Sequence, residues 1–185
     1  STVFPLLYMK EILPAIDLKL FSAPQIDRNI QAGIGRLFTM QTSSGGFGMW
    51  PGDSFPYDWG TVYATEFLVE AKNAGYAVPK SDLKDALDYL EKFVSGKSKD
   101  GDADGTLRSH AIYVLAKAGR VKSSWIRRLQ ETKSDLSEAG KLYLAGSLAL
   151  MGDKKSMTEL IGQSFNDQSF SGKGEGEFNV LPSAL

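Results

Sequence analysis

The fold is decided by a loop crowded with glycines and rings, Gly45-Gly46-Phe47-Gly48-Met49-Trp50-Pro51-Gly52, which leads into Tyr57-Asp58-Trp59-Gly60-Thr61-Val62-Tyr63. Glycine permits backbone conformations in which other residues clash, and proline fixes φ. The entropy cost of ordering large aromatic side chains is offset only when the rings are buried in the protein or bind a ligand. Two interpretations follow: a plug that closes the hydrophobic core, which we favour, or a ligand platform, whose candidate binding residues are Phe47, Trp50, Tyr57 and Trp59.

Helical periodicity dominates on both sides of this loop. Eight helices are predicted in chain order, over about 1–20, 25–40, 59–74, 82–94, 106–118, 124–129, 135–151 and 154–161. Pro14 should kink or divide the first of them. A polar linker is predicted over 95–105, and the tail over 163–185 reads as irregular or as a β-hairpin.

Capping residues punctuate this pattern. Asp58 is a candidate N-cap for the helix over 59–74, and Asp153 is one for the helix over 154–161. Ser81 or Asp82 is a candidate N-cap for the helix over 82–94. Glycine is the residue that most readily ends a helix. Three helices accordingly should stop at Gly75, Gly119 and Gly152, which are 44 and 33 residues apart.

The predicted helices alternate in character, and this alternation sets the fold class. Those that end at the three glycines are rich in Ala, Tyr and Leu, whereas those between them are charged and one-sided. Repeats of this length are typical of stacked helical hairpins. We therefore expect an all-α, incomplete α/α toroid with buried inner helices and an amphipathic outer layer, forming one partial domain over 1–185 with a helical core over about 1–162.

Composition excludes several classes of function. The 21 basic and 22 acidic residues give a net charge of −1, which does not fit a nucleic-acid-binding protein. The absence of cysteine excludes disulfides, zinc–thiolate sites and cysteine nucleophiles within these 185 residues. No apolar run approaches the roughly 20 residues that span a bilayer, so we expect no membrane insertion of this segment.

Two features imitate metal or catalytic chemistry. Asp100 and Gly105 match positions one and six of an EF-hand, but Ala111 occupies the position where a bidentate Glu is needed. A solvated turn is therefore expected there. His110 is the single histidine, so a multi-histidine metal site is excluded within the chain, and we expect a packed or hydrogen-bonded structural residue. We expect no metal, no cofactor and no enzymatic activity.

The glycine-aromatic loop and its continuation resemble the thioester domain of bacterial alpha-2-macroglobulins. That family typically shows Gly-Gly-Phe-Gly-x-Trp, then Trp-x-Thr-x-Tyr-Ala before a Leu-rich helix, which matches residues 45–50 and 59–64. The likeness continues through the connector at 71–79 and the stretch at 107–116, and it covers about residues 1–160. The toroid of terpenoid cyclases is similar, but only one Gln-to-Gly-x-Trp repeat occurs here, at Gln41 to Trp50.

The resemblance implies part of a protease-trapping inhibitor in the bacterial periplasm or cell envelope, with a role in defence. Its partners would be the trapped proteases and the other domains of the same chain. In this family a thioester joins the Cys and Gln of a Cys-x-Glu-Gln motif. Cleavage of a bait region exposes the thioester, which then acylates the protease.

No Cys-x-Glu-Gln motif is present in this chain. Either the sequence begins just after the motif, which the likeness of Ser1-Thr2-Val3-Phe4-Pro5 to the following residues favours, or the parent belongs to the thioester-lacking branch. Some thioester proteins use a histidine for acyl transfer, but that residue precedes the helix. We therefore do not carry the role over to His110.

Two other functions remain open as alternatives. The first is a helical-repeat module that binds a peptide or glycan across the Trp50–Trp59 loop. The second is an α/α-barrel enzyme acting on lipid or carbohydrate. The leading hypothesis is the thioester-type domain of an alpha-2-macroglobulin.

Overall fold

The computed structural model describes residues 4–8, 23–96 and 102–167. Residues 4–8 are helical, and a 3₁₀ turn spans Lys133–Asp135. Seven longer helices follow in chain order: α1 (Ala23–Phe38), α2 (Asp58–Asn73), α3 (Lys80–Ser95), α4 (Asp102–Lys117), α5 (Ser123–Glu131), α6 (Glu138–Leu150) and α7 (Lys154–Asp167). The described ranges contain no strand beyond an isolated antiparallel bridge between Gln41 and Phe47.

The helices form two layers. Helix α4 packs between α2 and α6 in the inner layer, and α1, α3, α5 and α7 each pack against an inner helix. Burial follows the layers, because α2 buries residues around most of its circumference whereas α3 buries one stripe from Leu83 to Val94. The fold is that of an α/α toroid, as the alternating sequence pattern predicted.

Each inner helix ends in the same way. Gly75, Gly119 and Gly152 have φ values of +89°, +72° and +82°, in the left-handed region that favours glycine. In each case the N–H after the glycine donates to a carbonyl five residues earlier, as Tyr76 does to Ala71 at 2.9 Å. These bonds form a Schellman motif, so all three predicted stops are confirmed.

The predicted N-caps are confirmed only in part. The Asp153 carboxylate accepts the Ser156 N–H at 3.1 Å. The predictions for Asp58 and for Ser81 or Asp82 are wrong, because α2 follows Tyr57 and α3 follows Pro79, in both cases without a side-chain cap.

Two segments are more helical than the sequence suggested. Helix α4 begins at Asp102, so part of the predicted linker over 95–105 is helical; its acidic start is favourable at a helix N-terminus. Helix α7 continues past Gly162 to Asp167, into the predicted irregular tail. A solvent-facing glycine costs a helix only about 1 kcal/mol, which neighbouring residues offset. The predicted Pro14 kink and the tail over 168–185 lie outside the described residues.

The aromatic loop requires glycine for two different reasons, a left-handed backbone conformation and a close approach of another backbone segment, and Gly45 and Gly52 distinguish them. Both have positive φ, +92° and +87°. A Cβ at Gly45 would lie 2.3 Å from the carbonyl oxygen of Asp85, whereas a Cβ at Gly52 would meet nothing within 4 Å.

We therefore expect Gly52→Ala to lower the free energy of unfolding by about 1–2 kcal/mol, the cost of the left-handed conformation alone. Gly45→Ala adds a backbone clash, and we expect roughly twice that loss or more. Urea unfolding followed by circular dichroism measures both. Equal losses would mean that the approach to Asp85 is not a constraint.

Candidate functional site

The aromatic loop is bound to the helices on both sides of it. The Gln41 side-chain amide donates to the carbonyls of Gly45 and Asp82, each at 2.9 Å, which ties the loop to the start of α3. The fully buried Thr61 hydroxyl accepts the Phe47 N–H at 2.8 Å, which ties the loop to α2. The loop is therefore an ordered element.

The rings of this loop do not form the predicted core plug. Only Phe47 is buried, at 2% exposure. Trp50 is 70% exposed, Trp59 is 55% exposed and Phe55 is 84% exposed. The plug interpretation is wrong for these side chains because the loop is held by its backbone and by Gln41 and Thr61, which leaves the rings facing outward.

A carboxylate holds one of these rings outward. Asp53 Oδ2 accepts the N–H groups of Met49 and Trp50 at 2.8 and 2.9 Å, and its own N–H donates to the Trp50 carbonyl at 3.2 Å. A Cβ at Gly48 would lie 2.5 Å from the Asp53 Cβ, so the turn closes around a glycine. The exposed ring is thus presented by a fixed turn.

Exposed and half-buried rings run along the first two turns of α2. The Tyr63 ring stacks on Trp59, with centroids 5.5 Å apart and planes 7° apart, and on Phe4 at 5.1 Å. Tyr57 contacts Trp59 at 6.4 Å. The structure therefore brings Tyr57 and Trp59 together at one surface. We call the exposed side chains Met49, Trp50, Phe55, Tyr57 and Trp59 the aromatic platform.

A second cluster lies within the inner layer. Glu66 and His110 are 9% and 8% exposed, and His110 Nε2 lies 2.7 Å from Glu66 Oε2. Since a carboxylate only accepts hydrogen bonds, Nε2 carries the proton. Lys117 donates to Glu66 Oε1 at 3.0 Å and also pairs with Glu70, while the His110 ring stacks on Tyr143 at 4.1 Å. We call these five residues the inner polar cluster.

Charge within the inner polar cluster is fixed by its contacts. Burial raises the pKa of the Glu66 carboxyl, but the hydrogen bonds from His110 and Lys117 outweigh burial and leave that pKa below its ordinary value. Burial lowers the pKa of Lys117, but bonds to Glu70 and Glu66 outweigh it and raise that pKa above its ordinary range. Both groups are therefore charged near neutral pH.

Sequence reasoning foresaw one member of this cluster. The expectation that His110 is packed and hydrogen-bonded is confirmed, and it lies within α4. Glu66 was missed because it lies 44 residues away along the chain and meets His110 only when α2 packs on α4. Lys117 is on α4 itself, seven residues after His110, and bonds to Glu66 through the same packing of the two helices. One available signal was that charges are scarce at the centres of the predicted inner helices.

The solvated turn expected over the EF-hand-like stretch is not found for residues 102–105, and Asp100 and Gly101 lie outside the described residues. Residues 102–105 are the first turn of α4, so they cannot follow the path of a calcium-binding loop. Across the described ranges, no three carboxylate or histidine side chains are grouped so as to hold a metal ion. In the same ranges, no helix has both the length and the apolar character needed to cross a bilayer.

The layered inner and outer helices define the class as an α/α toroid-type helical domain. No protein-family model matches the sequence. The alpha-2-macroglobulin of Xylella fastidiosa is 32% identical over 142 residues, which cover 72% of this chain and 9% of that relative. The chain spans about a tenth of the length of the curated relatives it matches.

Solved structures agree with the sequence relatives. The trypsin-activated alpha-2-macroglobulin of Escherichia coli is similar with a TM-score of 0.77 and 27% identity, over 89% of this chain and 12% of that one. The native Escherichia coli protein from domain MG7 to the C-terminus is similar with a TM-score of 0.77 and 28% identity, over 89% of this chain and 27% of that one. The chain is an alpha-2-macroglobulin-like segment, homologous to part of the C-terminal region of the bacterial proteins.

The inner polar cluster should make the free energy of unfolding depend on pH, and substituting Glu66 should reveal this dependence. Because the pKa of folded Glu66 is depressed, its contribution is present above the ordinary value of 4.5 and is lost as pH falls through the lower folded-state value. We expect Glu66→Gln to lower the free energy of unfolding at pH 7 by roughly 3 kcal/mol, since it leaves Lys117 without its full partner.

That difference should shrink as pH falls below the ordinary value of 4.5, because the unfolded chain then takes up a proton that the folded Glu66 carboxyl resists. Urea titrations at pH 7, 5 and 3 measure it. The exposed Glu159→Gln serves as the control and should match the wild type at every pH. A Glu66→Gln deficit of constant size across this range would contradict the assigned charge on Glu66.

Proposed function

We propose that this chain is part of the α/α-toroid domain that houses the thioester, or once housed it, in a protease-trapping inhibitor of the bacterial periplasm or cell envelope. The observation that carries the proposal is the similarity of 89% of the chain to the C-terminal region of the Escherichia coli alpha-2-macroglobulin. The partners of the intact protein are proteases and its own other domains. The role is structural and non-enzymatic.

The architecture suits a domain that changes its position without refolding. This chain matches the native and the trypsin-activated Escherichia coli proteins with the same TM-score of 0.77 over the same share of its length. One helical fold therefore corresponds to both states of that relative. A rigid body held by its own core transmits a displacement instead of absorbing it.

The proposed chemistry is acyl transfer from a strained thioester that is kept dry until a switch admits a nucleophile of the protease. The nucleophile forms a bond to the acyl carbon, the C–S bond breaks, and the cysteine sulfur leaves as a thiol with the proton that the nucleophile gives up. In that step the nucleophile comes from the trapped protease, and the role that we assign to the helical domain is to shelter the bond from water. The sequence that precedes Ser1 in the intact protein decides between the two branches of the family. A Cys-x-Glu-Gln motif there supports a covalent trap.

The test uses the full-length protein with trypsin as the probe. We expect trypsin to become joined to the inhibitor in a band that survives denaturing electrophoresis. The captured trypsin should still cleave a small peptide substrate but lose most of its activity on casein, because a trapped protease is screened from large substrates.

Pretreatment with methylamine is the matched control, since a small amine consumes an acyl donor before trypsin arrives. It should abolish the covalent band. Trypsin that digests casein and peptide equally well and forms no adduct would contradict the proposed trap. Loss of casein cleavage without an adduct would support the thioester-lacking branch.

A further inference from the structure

A cavity of about 310 Å³ lies between α3, α4, α5 and the 3₁₀ turn. We call it the α5 cavity. It shares no residue with the aromatic platform or with the inner polar cluster. Its volume falls at the small end of the range for ligand sites in proteins. The apolar part of its lining is buried and consists of Val94, Ile112, Trp125, Leu129 and Leu136.

One wall of the α5 cavity is fixed by a buried arginine. Arg108 is 7% exposed, and its Nη1 donates to three carbonyls at the end of α3. These belong to Phe93, Val94 and Gly96, at 3.2, 2.8 and 3.0 Å. The last carbonyls of a helix lack partners within it, so Arg108 caps α3 and holds α4 against it. Those carbonyl dipoles offset the charge of the guanidinium.

The opposite wall is fixed by the backbone of the 3₁₀ turn. The Thr132 N–H donates to the Arg128 carbonyl at 3.3 Å, and the Asp135 N–H donates to the Thr132 carbonyl at 3.0 Å. The hydroxyls of Thr106 and Ser137 lie 2.6 Å apart and join α4 to the start of α6. Because these walls need no ordering when a ligand binds, binding costs little conformational entropy.

Two opposite charges border the α5 cavity without neutralising each other. Arg128 and Asp135 both line it and both are exposed. Within the described part of the chain, neither forms an ion pair with the other or with a third residue. Asp135 Oδ1 accepts the hydroxyl of the neighbouring Ser134 at 3.2 Å. A cationic and an anionic group are thus both accessible to a ligand at one apolar cavity.

This combination defines the chemistry of the ligand. A guanidinium binds a carboxylate through two parallel N–H groups, and a carboxylate binds an ammonium group. The buried apolar lining gains free energy by covering an aliphatic or aromatic side chain. A flat protein surface would not reach that lining. A small molecule that carries a carboxylate, an ammonium group and an apolar side chain satisfies all three features.

We propose that the α5 cavity binds a small apolar zwitterion, namely a free apolar amino acid or its dipeptide. The ligand carboxylate contacts Arg128, the ligand ammonium group contacts Asp135, and its side chain packs against Trp125 and Leu136. This site is separate from the protease-trapping role and does not depend on it.

The test titrates the full-length protein with L-leucyl-L-leucine and with L-leucine by isothermal titration calorimetry. We expect a dissociation constant of about 1 mM or below for the better of the two, which identifies the dipeptide or the amino acid as the ligand. Diglycine keeps both charges but lacks apolar side chains, and N-acetyl-L-leucine lacks the ammonium group. Each should bind at least about tenfold more weakly.

Substitutions locate the binding to the α5 cavity. Arg128→Gln and Asp135→Asn should each weaken binding by about tenfold, because each removes one charge-assisted contact. Arg127→Gln and Glu131→Gln are the matched controls, since both residues are exposed on α5 and lie outside the lining. The controls should change the affinity by less than about twofold. Circular dichroism melts check that all four variants keep the fold.

Three results would overturn the inference. The first is the absence of binding of both leucine probes up to about 10 mM. The second is an equal loss of affinity in Arg127→Gln and Arg128→Gln, which would place the binding elsewhere. The third is binding of N-acetyl-L-leucine as tight as that of L-leucine, which would make the site one for simple carboxylates. A full-length protein that traps trypsin but binds neither leucine probe would overturn this inference alone and leave the proposed function standing.

Discussion

The hydroxyl of Thr61 is the interaction on which the surface of this domain depends. It is fully buried, accepts the N–H of Phe47 at 2.8 Å and lies 3.3 Å from the Phe47 carbonyl oxygen, to which it can also donate. One side chain of α2 thereby hydrogen-bonds the backbone N–H and carbonyl of Phe47, the loop residue whose ring enters the core. With Phe47 anchored, the residues that follow must turn outward, and their rings become surface. A valine at this position would match the shape of Thr61 but would leave a buried N–H unpaired.

A second constraint acts on the inner layer. Its central helices are surrounded by apolar neighbours on several sides, and yet they bear charged side chains. Glu66 and Lys117 are buried together with His110, and every described buried polar side-chain atom finds a hydrogen-bond partner. A polar cluster is tolerated in a core when every charged group exchanges its lost hydrogen bonds to water for hydrogen bonds to other protein groups. Such a cluster also specifies how α2 must be rotated against α4, since a different rotation would leave a carboxylate unpaired. The cluster therefore constrains the geometry of the layer as well as its stability.

Sequence reasoning predicted the parts of this fold that local chemistry determines. Gly75, Gly119 and Gly152 end their helices because a left-handed residue is required there, and that requirement is visible in the chain itself. The alternation of inner and outer helices was likewise visible, because burial on one side or on several sides changes composition. The Trp50 and Trp59 rings were misjudged, because a glycine-aromatic loop has the same composition whether its rings point inward or outward. Their positions follow from tertiary contacts instead: Thr61 anchors Phe47 across 14 residues, the Asp53 carboxylate fixes the turn at Trp50, and Trp59 lies on the first turn of α2.

The repeated helix ending has a consequence for how this architecture varies among proteins. Each Schellman turn is closed by bonds within its own helix, so an inner helix ends correctly whatever follows it. The outer elements bear this out, since α3 has 16 residues and α5 has 9, yet both connect consecutive inner helices. Insertions and deletions can therefore accumulate in the outer hairpin arms while the inner layer keeps its register. Diversity among such domains should concentrate in the outer helices, where a graft or an epitope could be placed without disturbing the packing of α2, α4 and α6.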